Sequence, residues 1–118
     1  MFHNDIRGRF DRGEAKVVEA MKGFARLAAE ARSALLARDA ERLGRLMDAN
    51  FDLRRTIYDL PAWQVQMVEA ARACGASAKF AGSGGAIVGL YGEEPRFEAV
   101  RTAVGEIGSR TVKPLVAE

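Results

Sequence analysis

The hydrophobic pattern of this chain changes its period at Gly75, and that change constrains the fold more than any other feature. Before Gly75, apolar residues recur at steps of three and four, as on one face of a helix. After it, two short apolar runs flank a glycine-rich loop, as in two strands joined by a turn. The 118 residues, 48% of them hydrophobic, are enough to bury one core. We expect a single domain over 1–118, with a helical part over about 11–74 and a sheet with a last helix over about 77–116.

Two long helices are predicted in the first part of the chain. Asp11 and Glu14 have the spacing of a capping box for the first helix. Its predicted buried stripe is Val17, Met21, Phe24, Ala28, Ala31 and Leu35. Asp39 offers a cap for the second helix, whose stripe is Leu43, Leu46, Met47, Asn50, Leu53 and Ile57. The short connection between them predicts an antiparallel pair.

A third, shorter helix is predicted to begin with Pro61 in its first turn and to end at Gly75. It carries Met67, Val68 and Ala71 inward.

Strands are predicted in the second part, at Lys79–Ala81 and Ala86–Tyr91. A last helix with Pro95 in its first turn follows and ends at Gly108, with Phe97, Val100 and Val104 facing inward. The tail Thr111–Val116 is predicted as an edge strand, or as a segment near the end of a strand, because Pro114 cannot donate a ladder hydrogen bond. Together these elements predict an α+β domain with helices packed on one face of a small, mainly antiparallel sheet.

Charge, hydrophobicity and cysteine content indicate which partners and which cellular compartment to expect. The 18 basic and 16 acidic residues are interleaved and leave a net charge of +2, so nucleic acid is not an expected partner. No apolar run approaches the roughly 20 residues of a membrane span, so no membrane partner is expected. A single cysteine, Cys74, excludes an internal disulfide and fits a reducing compartment. We expect a cytoplasmic protein.

Metal and nucleophile chemistry has few candidates. The chain has one histidine, His3, and one cysteine, so it cannot assemble a tetrahedral cluster of nitrogen and sulfur ligands. A histidine near a terminus is typically exposed, and a cysteine at a helix end typically packs. We predict no metal ligand and no catalytic residue in this chain.

Several polar side chains remain candidates for binding. Arginine can bind phosphate or carboxylate through two hydrogen bonds, yet most arginines are solvated surface residues. The candidates are Arg7, Arg9, Arg12, Arg54 and Arg55. Asn50 interrupts an apolar stripe, so its amide must either form a buried hydrogen bond or face a cavity.

The glycine-rich loop consists of Gly82, Ser83, Gly84 and Gly85. Glycine permits positive φ and a close approach to the backbone, which suits a hairpin turn and an anion site equally well. The sequence "GSGGA" matches neither the dinucleotide-binding pattern nor the Walker pattern. Spacing alone therefore favours a hairpin turn over an anion site.

The segments "LMDANFDLRRTIYDLP" and "MVEAARACGASAKFAGSGGAIVGLY", in this order, resemble the C-terminal half of the GHMP superfamily of small-molecule kinases, and within it the glucuronokinase-like sugar kinases. The segment "HNDIRGRF" resembles the region before the helices in that group. The similarity extends over nearly the whole chain. It implies a ferredoxin-like C-terminal domain.

The resemblance implies that Gly82, Ser83, Gly84 and Gly85 form a loop near the transferred phosphate and the acceptor. It also places Asn50, with Arg54 as a further candidate, on the substrate side. Ser83 and Ala86 stand where many members have alanine and glycine. The family's ATP-binding loop, Mg²⁺ carboxylate and catalytic aspartate lie in its N-terminal domain. We therefore expect ATP and Mg²⁺ only if an N-terminal half completes the site, and no kinase activity from this chain alone.

The resemblance also implies a gap in the sheet. In that fold the first strand is central, and this chain begins just after the position of that strand. We expect a separate N-terminal kinase half, or a homodimer, to supply the strand.

Two functions remain open at this point. One is the substrate-side half of a sugar kinase acting on a small sugar or sugar acid. The other is a stand-alone, non-catalytic, oligomeric binding module derived from such a kinase.

Overall fold

The computed structural model describes residues 5–82 and 84–113. Over these residues the elements in chain order are α1 (Ile6–Asp11), α2 (Ala15–Leu36), α3 (Ala40–Ile57), α4 (Ala62–Ala73), β1 (Ser77–Phe80), β2 (Ile87–Leu90) and α5 (Glu94–Glu106). The predicted α+β class is confirmed. Residues 111–113 lie outside any strand, contrary to the predicted tail strand, and residues 114–116 fall outside the described range.

The start of the helical part differs from the prediction. Asp11 is the last residue of α1, a helix that the sequence pattern does not predict. Glu14 directly precedes α2, and its side chain makes no capping hydrogen bond there. Its carboxylate accepts hydrogen bonds from Arg9 and Arg12, each at 3.3 Å. The predicted capping box is therefore wrong, because two arginines occupy the carboxylate that it requires.

Helices α2 and α3 form the predicted antiparallel pair. The Asp39 side chain accepts a hydrogen bond from the amide of Arg42 at 3.0 Å, which confirms the predicted cap of α3. Glu30 on α2 lies opposite Arg42, and Gly23 lies opposite Leu53, so the two chains run in opposite directions. A β-carbon at Gly23 would lie 2.7 Å from the Leu53 side chain, so glycine permits this close approach.

The predicted stripe of α2 is only partly buried. Ala28 and Leu35 are exposed, and Leu35 retains 61% of its accessible surface. The buried positions are instead Val17, Ala20, Gly23 and Ala34. Three of the four are glycine or alanine, and small residues allow the α3 backbone to come close.

Helix α3 lies between α2 and the sheet, and it is buried on two sides. Toward α2, Ile57 joins Val17 and Ala20 in one apolar cluster. Toward the sheet, Phe51 packs on Phe80 with ring centroids 5.0 Å apart in an edge-to-face arrangement. The second cluster consists of Phe51, Val65, Val68, Ala71, Ala78 and Phe80. The predicted stripe includes Leu53 and Ile57, which belong to the first of these clusters, and omits Phe51.

Helices α4 and α5 agree well with the sequence. Pro61 directly precedes α4, and Met67, Val68 and Ala71 are buried as predicted. Pro95 lies in the first turn of α5, where its missing N–H is not needed. Val104 is its buried residue.

Strands β1 and β2 form an antiparallel hairpin, with Ser77 opposite Leu90 and Phe80 opposite Ile87. The strands begin and end up to two residues from the predicted limits. Gly89 lies so close to Ser77 that a β-carbon would overlap the Ser77 carbonyl oxygen. A glycine is therefore needed at this position of β2.

The outer edge of β1 is closed by side chains. The Asp48 carboxylate accepts a hydrogen bond from the Ala78 amide at 2.9 Å. Arg72 donates to the Ala78 carbonyl at 3.4 Å and to the Asp48 carboxylate at 3.1 Å. Arg72 also binds Asp52 at 2.8 Å. This arrangement joins α3, α4 and β1 and satisfies backbone groups that another strand would otherwise have to pair.

Replacing Asp48 with alanine is expected to lower the free energy of unfolding by about 2 kcal/mol, because the amide of the buried residue Ala78 loses its acceptor and Arg72 loses a partner. Asp52→Ala is the matched control. Its carboxyl side chain is 61% exposed, so the expected loss is below about 1 kcal/mol. Urea unfolding measures both values, and equal losses would show that Asp48 does not close the edge.

Candidate functional site

The glycine-rich loop connects β1 to β2 as a hairpin turn, closed by a 2.9 Å hydrogen bond from the Ala81 amide to the Ala86 carbonyl. Gly82, Gly84 and Gly85 have φ values of 68°, 126° and 85°. Ser83 lies outside the described residues. No atom lies within 4 Å of the position that a β-carbon would take at Gly82 or Gly85. The loop is thus a turn that leaves open space beside its backbone.

Arg54 connects α3 to this loop. Its guanidinium donates a hydrogen bond to the Gly82 carbonyl at 2.7 Å. The same group lies over the rings of Tyr58 and Phe80, 5.4 and 5.3 Å from their centroids. Arg54 is a predicted site residue, and the structure places its charge directly at the start of the loop.

Lys79 brings a second positive charge to the same place, and the sequence does not predict it as a site residue. Its ammonium group donates a hydrogen bond to the Phe80 carbonyl at 3.0 Å. Partial burial lowers the pKa of Lys79, and the nearby charge of Arg54 lowers it further. The available signal is its position directly before the loop in "AKFAGSGG".

Asn50 precedes Arg54 by four residues, so both lie on one side of α3. Its side chain is half-buried. The buried hydrogen bond, which is one of the two roles predicted for Asn50, is not formed with any described residue.

The other candidate cations have structural partners. Arg9 donates to the Ile57 carbonyl at 3.0 Å and to Glu14. Arg7 and Arg55 pair with acidic residues at 3.8 Å, and Arg12 pairs with two. Cys74 is half-buried at the end of α4, and His3 lies outside the described residues. The described residues among these candidates do not assemble around the loop.

A metal-binding cluster and a membrane-spanning helix are both absent from residues 5–82 and 84–113. Within these ranges, no three His, Cys, Asp or Glu side chains are grouped so as to hold a metal ion. No described helix combines the length and apolar character that crossing a bilayer requires.

An apolar groove of about 720 Å³ runs along β2 next to the loop. Part of its lining is Trp63, Met67, Leu90, Phe97 and Val112. Trp63 and Val112 are 57% and 70% exposed. Among the described residues, no strand pairs with the outer edge of β2. Unlike the edge of β1, the outer edge of β2 therefore has no partner among the described residues, and it borders an apolar surface.

The part of the chain that contains this site is similar to known proteins. A family model described as "GHMP kinases C terminal" matches residues 31–110. The chain is 45% identical over 96 residues to "Probable glucuronokinase 2" and 43% identical over 96 residues to "Glucuronokinase 1", both from Arabidopsis thaliana. Each match covers 79% of this chain and 26% of the relative, so the chain spans about a quarter of the length of these relatives.

A solved structure has a similar fold. It is L. major mevalonate kinase in complex with R-mevalonate, at a TM-score of 0.77 and 28% sequence identity. The match covers 87% of this chain and 32% of the mevalonate kinase chain.

Proposed function

The chain belongs to the GHMP kinase family, and from this premise we propose that it is the C-terminal, substrate-side half of an ATP-dependent sugar kinase. The reaction is transfer of a phosphoryl group to a hydroxyl of a sugar acid such as glucuronate. The observation that carries the proposal is the open loop of Gly82, Gly84 and Gly85, with Arg54 bound at its start. The identity to two glucuronokinases supports the choice of substrate class.

In this proposal, the loop supplies backbone N–H groups to the phosphoryl group and the acceptor. Phosphoryl transfer depends on donors that are already oriented, and a loop of small residues can present them without side chains in the way. Asn50 and Arg54 contribute polar groups from the adjacent side of α3.

ATP and Mg²⁺ are assigned to an N-terminal half. Mg²⁺ prefers carboxylate oxygens together with substrate phosphates, and the described residues do not group acidic side chains for this purpose. They also contain no second glycine-rich loop that opens a helix. The described residues therefore do not fit these two groups by themselves.

The partner is proposed to add a strand to β2. The edge of β1 is closed by Asp48 and Arg72, whereas the edge of β2 is open and borders the apolar groove. Strand addition at such an edge satisfies backbone groups and covers apolar surface in one step. Residues 1–118 then form one domain, with the strand coming from the N-terminal half or from a second copy.

A chimera tests the proposed function. The whole chain replaces the matching segment of Arabidopsis thaliana glucuronokinase 1, and ATP-dependent phosphorylation of glucuronate is measured. We expect turnover with glucuronate from the chimera and none from the chain alone. A chimera that folds without phosphorylating glucuronate, or a chain that phosphorylates it unaided, would contradict the proposal.

A stand-alone, non-catalytic binding module is the second candidate, and the open edge of β2 favours it because it can also pair with another copy. This candidate predicts a stable oligomer of the isolated chain and an inactive chimera. Analytical ultracentrifugation of the chain, together with the chimera assay, separates the two functions.

A further inference from the structure

Two positive charges converge on one short backbone segment at the start of the loop. Arg54 binds the Gly82 carbonyl at 2.7 Å, and Lys79 binds the Phe80 carbonyl at 3.0 Å. The two carbonyls are two residues apart. The Arg54 guanidinium lies over the rings of Tyr58 and Phe80, and these contacts orient it. The position of its charge is therefore set by the two rings as well as by the hydrogen bond to Gly82.

Neighbouring acidic groups do not neutralise Lys79. Asp48 and Asp52, on the same helix as Arg54, both bind Arg72. No carboxylate contributes to the shift in the pKa of Lys79, which is lowered first by burial and then by the charge of Arg54. Two like charges held together in a partly buried place repel each other, and an anion between them would relieve that repulsion.

The adjacent space is open. No heavy atom approaches the β-carbon positions of Gly82 and Gly85, and both residues are exposed. A ligand can therefore reach the loop backbone and the two cations together.

We propose that Arg54 and Lys79 form an oxyanion-binding pair beside the glycine loop, which takes the carboxylate of a sugar acid or a phosphoryl group. This inference rests on the proposed function and adds to it the groups that would distinguish an anionic sugar from a neutral one. Lys79 becomes a binding residue, and Arg54 acts both as a binding residue and as a support of the loop.

The test uses the full chain and three probes: glucuronate, glucose and inorganic phosphate. Binding is followed by chemical shifts of backbone amides in the variants Lys79→Met and Arg54→Gln. Loss of one charge is expected to weaken binding of the preferred anion by about tenfold. Glucose is expected to bind equally to all forms. A larger effect on glucuronate identifies the carboxylate as the ligand group, and a larger effect on phosphate identifies the phosphoryl group.

Arg55→Gln is the matched control, because Arg55 neighbours Arg54 in sequence but pairs with Glu69 at 3.8 Å. Its anion binding is expected to equal that of the wild type. The melting temperature of Lys79→Met is not expected to fall, because the variant removes a charge that burial and Arg54 disfavour. Two results would contradict the proposal that Arg54 and Lys79 bind an oxyanion. One is that the wild type binds no anion, and the other is that both charge variants bind the anion as well as the wild type does.

The chimera separates this inference from the proposed function. If the wild-type, Lys79→Met and Arg54→Gln forms phosphorylate glucuronate with the same KM and the same kcat, the oxyanion pair is wrong and the proposed function stands. If the charge variants lose anion binding while the folded chimera is inactive, the pair stands and the proposed function is wrong.

Discussion

Replacing Gly84 with valine is expected to lower the turnover of the chimeric kinase by about 100-fold or more. Gly84 has a φ of 126°, a conformation that a β-branched residue rarely adopts. A valine there would shift the loop, and its side chain would occupy space that the proposed function assigns to the phosphoryl group. The measurement is kcat for glucuronate at saturating ATP.

Gly13→Val is the matched control for this prediction. Gly13 also has a positive φ, 76°, and no atom lies within 4 Å of its β-carbon position. It precedes α2, in a different part of the chain from the loop. The control carries similar backbone strain without touching the loop, so its turnover is expected to remain close to that of the wild type. Equal losses in the two variants would mean that strain in the fold, rather than the loop, explains the effect.

The sequence predicts well those features that depend on neighbouring residues. The Asp39 cap, Pro95 in the first turn of α5 and the helix end at Gly75 are examples. A cap or a turn is decided within a few residues, so the residue types carry the information. The predicted hairpin around the glycine loop is confirmed for the same reason.

Features that depend on a second element are harder to predict. The capping box fails because Arg9 and Arg12 bind Glu14. Phe51 is absent from the predicted stripe of α3, because a single stripe assumes one buried side and α3 has two. Asp48 closes the edge of β1, a role that no local pattern indicates.

In the candidate site, too, the residues that local sequence indicates are predicted, and those that depend on a second element are missed. The loop glycines can be recognised from the sequence pattern itself. Arg54 is found because the family resemblance indicates it as a substrate-side candidate. Lys79 is missed because its relevance depends on where α3 brings the Arg54 guanidinium. Whether Ser83 contributes stays a prediction, as this residue lies outside the described ranges.

Phe51→Ala is expected to cause the largest loss of stability, about 3–5 kcal/mol in the free energy of unfolding. Phe51 is only 1% exposed and packs edge-to-face on Phe80, and the Arg72 guanidinium lies 5.3 Å from the centroid of its ring. Truncation removes the aromatic pair and leaves a cavity between α3, α4 and β1. For a domain of ordinary stability, this loss is a large share of the whole free energy of unfolding.

Phe10→Ala provides the control for Phe51→Ala, because Phe10 is 44% exposed on α1 and lies outside both core clusters. Its expected loss is below about 1 kcal/mol. Phe51→Leu keeps most of the apolar volume, so its loss should fall between those of the two alanine variants. Urea unfolding gives all three values.

Similar losses for Phe10→Ala and Phe51→Ala would show that the cluster around Phe51 does not hold the hairpin against the helices. If the cluster does so, Phe51→Ala also loosens Phe80 beneath Arg54, and anion binding at the loop should weaken together with stability.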